Sequence, residues 1–191
     1  EDRALFRRLA VFPGSFLLED ARVVAGASLP ALARLLDRSL IRLSETDRWD
    51  LHPLLHRYAA ERLGRDPAAL AAVQAQHARL YLDQLVAEDD ALWGESPQRA
   101  LAGVTAEWEN VRAAWRYALS LGEVDLLRSA AGPLARYLDF KGLFQWGVTM
   151  FDRAARDLAS DPRPGGVRAL MTAVTAHFLM RQAAYDEAVR T

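Results

Sequence analysis

Residues 39–52 form the only stretch of this chain that alternates polar and apolar side chains; elsewhere apolar residues return every three or four positions. That asymmetry limits the chain to a nearly all-helical fold with room for one β-hairpin. The spacing predicts a strand over residues 39–43, a polar turn at Glu45-Thr46-Asp47 and a returning strand over residues 48–52.

Helix signals surround the hairpin. Leu5, Phe6, Leu9 and Ala10 share one helical face until Pro13-Gly14 stops it, and a second helix over 19–25 ends at Gly26. Ser28 suits the N-cap of a third helix, with Pro30 in its first turn and Leu32, Leu35 and Leu36 on one face. After the hairpin, Pro53 opens a helix through Leu54, Leu55, Tyr58, Ala59 and Leu63, and Gly64 ends it. Three helices, a β-hairpin and a closing helix make a winged helix, expected over residues 1–65.

Residues 66–191 are expected to be wholly helical. Asp66 caps a helix with Pro67 at its first position, and Leu70, Val73, His77, Leu80, Tyr81 and Leu85 mark its stripe to about residue 88. A turn at 94–97 leads into a helix over 98–119, with a kink expected near Gly103. Three more helices follow Gly122, broken at Gly142 and at a Pro/Gly loop over 161–166. Phe144 followed by Gly147 resembles Tyr185 followed by Ala188, and Ala135 and Ala176 each stand nine positions before their aromatic. Small residues where helices cross and an aromatic at the turn are tetratricopeptide grammar, so a tetratricopeptide-like α-solenoid is expected.

Composition excludes several function classes. There is no cysteine, hence no disulfide framework and no thiolate metal site or nucleophile, which fits a reducing cytoplasm. Net charge is -1, so the whole chain is not a basic nucleic-acid or membrane-surface binder. No apolar run approaches the roughly 20 residues that cross a bilayer. Helical sequence running to both ends, without an initiator Met or a closing cap, predicts a piece of a longer polypeptide.

Few residues could carry chemistry. No phosphate-cradling glycine loop is present. His52 and His56 stand four apart, but Pro53 occupies the place of a metalloprotease glutamate and no third ligand is apparent, so no metal site is expected. His52 is expected to cap the helix behind it, with His56 exposed. Glu107 and Glu109 diverge on a helix, which suggests a solvated face with Trp108 in the core. Trp115, Tyr137, Phe140 and Trp146 are expected in the core. A DNA-recognition role for residues 28–38 would rest on Arg34 and Arg38 with Asp37 between them, too few cations for a strong phosphate term.

The segments Leu5-Phe6-Arg7-Arg8-Leu9-Ala10-Val11-Phe12-Pro13-Gly14, Leu35-Leu36-Asp37-Arg38-Ser39-Leu40 and Leu51-His52-Pro53-Leu54-Leu55-His56-Arg57-Tyr58-Ala59 resemble the winged-helix module of STAND-class ATPases. These include bacterial transcriptional activators and the NB-ARC proteins of plant immunity and animal apoptosis. His77 to Leu85 and the Glu107-Trp108-Glu109-Asn110 stretch resemble the linker and first sensor helices of the bacterial members. Leu51-His52-Pro53 is similar to the family's Met-His-Asp motif, which implies that His52 contacts the phosphate of ADP held by an upstream nucleotide-binding domain; Pro53 departs from the aspartate. The resemblance implies a parent that binds ATP and ADP, while this segment has no cofactor or catalytic residue of its own. A protein or small-molecule inducer is expected on the solenoid, with Arg136, Asp139, Phe140, His177 and Arg181 as candidate groove residues; no membrane or direct nucleic-acid contact is expected. The alternatives are a non-switching helical-repeat scaffold and, third, a DNA-binding winged helix.

Overall fold

The computed structural model describes residues 1–94, 97–158 and 166–190, with side chains through residue 183. The fold is mainly all-α, a winged helix with one small hairpin followed by solenoid-type helices. Two compact units emerge: residues 1–82 with 105–121, and residues 83–104 with 122 onward.

The first unit begins with α1 (Asp2–Arg8), which tightens into a 3₁₀ turn (Leu9–Val11), then α2 (Leu18–Ala25) and α3 (Leu29–Asp37). Side chains set the helix ends. The Asp20 carboxylate accepts from the Leu17 N–H (3.0 Å) at the start of α2, and Gly26 closes that helix at φ +66°. Ser28 Oγ accepts from Ala31 N (3.4 Å) ahead of α3. Strands β1 (Arg42–Leu43) and β2 (Trp49–Asp50) pair antiparallel, with Arg42 opposite Asp50 and Leu43 opposite Trp49. They are shorter than the alternation suggested. Ser39, at φ +56°, turns the chain out of α3, and Leu40 N still bonds Leu35 O as part of the helix end. Phe16 adds a third rung, exchanging both backbone hydrogen bonds with Trp49 (2.8 and 2.9 Å). Helix α4 (Pro53–Leu63) closes the winged helix.

Two later segments complete this core: the first part of α5 (Pro67–Ala87), whose start is capped by Asp66 Oδ1 on Ala69 N (3.0 Å), and α8 (Trp108–Leu121). Phe12 and Phe16 stack with ring centroids 4.4 Å apart, and Val24, Leu32, Leu35 and Trp115 of the same unit are buried as well. Leu36 does not join Leu32 and Leu35; it lies a step round the helix and is exposed.

The second unit holds the end of α5, α6 (Asp89–Trp93), most of α7 (Gln98–Ala106), α9 (Val124–Phe140), α10 (Phe144–Asp157) and α11 (Val167–Arg190). The expected helix over 98–119 is two helices, and the break falls at Glu107 rather than near Gly103. Gly142, at φ +65°, turns α9 into α10. Helix α10 lies on α11 at Gly147, where a Cβ would come within 2.4 Å of the Phe178 ring. Phe178, Phe151, Leu134 and Tyr137 are fully buried. Phe140 and Trp146, expected in the core, are exposed. Ala176 faces solvent rather than a helix crossing; Tyr185 and Ala188 lie in α11 beyond the described side chains, and most of the 161–166 loop lies outside the described residues.

Candidate functional site

The winged helix presents an apolar groove. Leu36 of α3, Leu40 and Ile41 of the following turn and Leu43 of β1 share with Leu54 and Leu55 of α4 the lining of a space of about 660 Å³, with Ser39, Arg42 and His52 as its polar members. Leu54 is 73% exposed, and Leu36 and Leu43 are exposed too, so the groove opens to solvent along an apolar rim. The left-handed Ser39 lies in the same lining, where a strained backbone aims the turn.

His52 sits at the rim as the N-cap of α4. Its Nδ1 accepts from the Leu54 N–H (3.3 Å), so the neutral ring carries its proton on Nε2 and presents it outward as a donor. Pro53 helps here: having no N–H, it leaves Leu54 as the first amide to be capped. His56 does not point the same way. It is half-buried, and its Nε2 donates to the Phe12 carbonyl oxygen (3.0 Å), so it locks α4 to the 3₁₀ turn. Among the described residues no group of three or more His, Asp or Glu is placed to hold a metal ion.

Arg34 and Arg38 are already engaged. Both reach Asp2 (2.8 and 3.1 Å). The Arg34 hydrogen bond, foremost, and the charges of both arginines hold the Asp2 carboxyl below its ordinary range. The third helix thus spends its two cations on the start of α1.

Sequence reasoning missed a polar cluster within the core. His77 is wholly buried between Phe12 (ring centroids 5.3 Å apart), Tyr81 (4.6 Å) and Tyr117 (5.4 Å). Asn110 lies beside it, but neither ring nitrogen has a hydrogen bond of ordinary geometry. Burial, against a small opposing pull from Asn110, drops its pKa to about 3, so the ring is neutral. Tyr81 donates to the buried Asp20 carboxylate (3.3 Å), and burial raises its own pKa. Tyr117 donates to the Val11 carbonyl (3.2 Å). Glu107, expected on a solvated face, pairs with Arg48 of the hairpin (2.6 Å), each side chain 17% exposed, and Trp108 is only half-buried. Asn110 Nδ2 donates to both the Ser15 carbonyl (2.9 Å) and Glu107 (3.0 Å). The one signal available in the sequence was polar residues on an otherwise apolar stripe.

In the second unit the five candidate groove residues divide. Asp139, His177 and Arg181 come together: Arg181 Nε donates to Asp139 Oδ1 (2.8 Å), His177 Nε2 lies 3.7 Å from the same oxygen, and Arg181 covers the Phe144 ring at 5.2 Å. Phe140 follows Asp139 at the exposed end of α9. Arg136 turns elsewhere, pairing with Asp89 and stacking 4.1 Å over Trp93.

No family model matches this chain, nor does any solved structure. Over 166 residues it is 30% identical to proteins named as candidate HTH-type transcriptional regulators in Mycobacterium bovis and in two strains of Mycobacterium tuberculosis. The alignment takes in 82% of this chain but only 18% of each relative, so the chain spans less than a fifth of their length. No helix among the described residues is long and apolar enough to cross a membrane.

Proposed function

We propose that this chain is a regulatory segment of a nucleotide-gated transcription regulator. The winged helix closes on an upstream nucleotide-binding domain and reports whether ADP is bound; the tetratricopeptide-like helices sense a protein or small-molecule inducer. The observation that carries the reading is His52, an outward Nε2–H donor at the rim of an exposed leucine groove. A donor aimed at a phosphate oxygen, ringed by apolar surface that a second domain would cover, is what reading a nucleotide requires. The chain itself supplies one such contact and no phosphate loop, so ATP or ADP would be held mainly by the upstream domain, and the segment is non-catalytic. The 30% identity to candidate HTH-type transcriptional regulators supports a transcriptional output. With Arg34 and Arg38 committed to Asp2, the winged helix is better suited to contacts within the protein than to DNA.

The test must separate capping from sensing, because His52 does the first whatever its part in the second. In the full-length protein His52→Asn keeps a capping acceptor and removes the imidazole, whereas His52→Ala removes both. Loss of a single contact to a charged group is worth about 1.5–3 kcal/mol, so both variants should raise uninduced reporter output by about tenfold or more. Only His52→Ala should also lower the stability of this chain, by about 1 kcal/mol. Unchanged output with His52→Asn would leave His52 a helix cap and remove the basis for nucleotide reading.

A further inference from the structure

A second cleft lies on the first unit, away from the wing groove, between the C-terminal turn of α2 and the first half of α5. Its volume is about 410 Å³, within the range of small-molecule sites, and Val23, Val24, Ala72 and Val73 wall it with Gln76 at its edge. Val24 and Val73 are buried at its base, while Val23 is 57% exposed at its mouth. The cleft has a single charge, the guanidinium of Arg8, which reaches over from the end of α1 to Gly26.

Several arginines of this unit are held in ion pairs. Arg48 has Glu107, and Arg34 and Arg38 share Asp2. Among the described residues Arg8 has no carboxylate partner; its Nε–H is shielded from solvent, so the terminal nitrogens, one of them beside Gly26 in the lining, are the donors within reach of the cleft. A guanidinium is always charged and its parallel N–H groups match a carboxylate in a two-point contact. An unanswered donor beside an apolar cleft is therefore suited to an acid with a short hydrocarbon tail. We propose that this cleft binds a small aliphatic monocarboxylate, its carboxylate on Arg8 with the Gln76 amide beside it, and its tail against the valines.

The probes are acetate, butyrate, hexanoate and octanoate, titrated into this chain and followed by ¹H–¹⁵N NMR. Resonances of residues 23–26 and 69–76 should shift together, and affinity should rise about threefold to fourfold per methylene until the cleft is full. Hexan-1-ol, of the same length without the charge, should bind at least tenfold more weakly than hexanoate. Arg8→Gln should lower hexanoate affinity at least tenfold with the chain still folded. Ala72→Leu, an exposed position on the wall, should block the tail and leave acetate binding unchanged, which decides the matter even if Arg8→Gln fails to fold. Equal binding of hexanoate by the wild-type chain and Ala72→Leu, equal binding of the alcohol and the acid, or no shift at residues 23–26 would each overturn the proposal.

Discussion

Gly147→Ala should destabilise the second unit by about 1–3 kcal/mol, and Gly147→Leu should prevent that unit from folding. At a helix position with free space, alanine in place of glycine stabilises by about 1 kcal/mol, so the sign of the effect reports the space available. None is available here: the added Cβ would stand 2.4 Å from Cδ2 and 2.5 Å from Cγ of Phe178. Those atoms belong to the near side of a ring that is itself fully buried, so the whole ring has to move, and α11 with it. Urea denaturation of the two variants measures the cost. Trimming the ring in a Gly147→Ala, Phe178→Leu double variant should recover part of it, a coupling of the kind expected for residues in contact. A Gly147→Ala protein melting above the wild type would show that the two helices do not cross this closely.

Acid should weaken the first unit through His77. Above about pH 6.5 the ring is neutral both folded and unfolded, and it contributes no pH dependence. Below that, the unfolded chain takes up a proton at the ordinary value of 6.5 while the folded ring, with a pKa of about 3, does not. Stability therefore falls as pH drops from 6.5 toward 3, by about 1.4 kcal/mol per unit, or about 2.7 kcal/mol by pH 4.5. His77→Phe keeps an aromatic ring among Phe12, Tyr81 and Tyr117 and has nothing to protonate. Its stability should fall less over the same interval, and the difference between the two curves isolates the histidine from the carboxylates that also titrate. Parallel curves would mean that water reaches the ring.

Much of the architecture was legible because local chemistry governs it. Gly26 and Gly142 end their helices by left-handed backbone, Ser28 and Asp66 cap the helices behind them with side chains, Pro53 opens α4, and the alternating stretch holds the hairpin. What could not be read depends on partners distant in sequence. Glu107 stands at the break in a helical pattern that looks continuous and has its carboxylate taken by Arg48, and Asn110 meets the Ser15 carbonyl 95 positions earlier. Phe140 and Trp146 have the spacing of core residues, but the faces on which they sit are not covered by the helices described. The same division runs through the wing groove. Its histidine was visible as a residue, but the direction of its proton was not, because that follows from a hydrogen bond to Leu54.

The contacts of α8 also impose a schedule on synthesis. The Ser15 carbonyl waits for Asn110, and the Val11 carbonyl waits for Tyr117, partners 95 and 106 positions downstream. At ribosomal speeds of about 5–20 residues per second, the nascent winged helix, complete at Leu63, spends on the order of 2–10 s with that side uncovered. During that interval the Val11 and Ser15 carbonyls lack these partners, and the side that α8 comes to cover is open to chaperones and to other nascent chains. Slow codons ahead of α8 would lengthen the exposure, and the yield of folded protein should be more sensitive to translation speed there than after it.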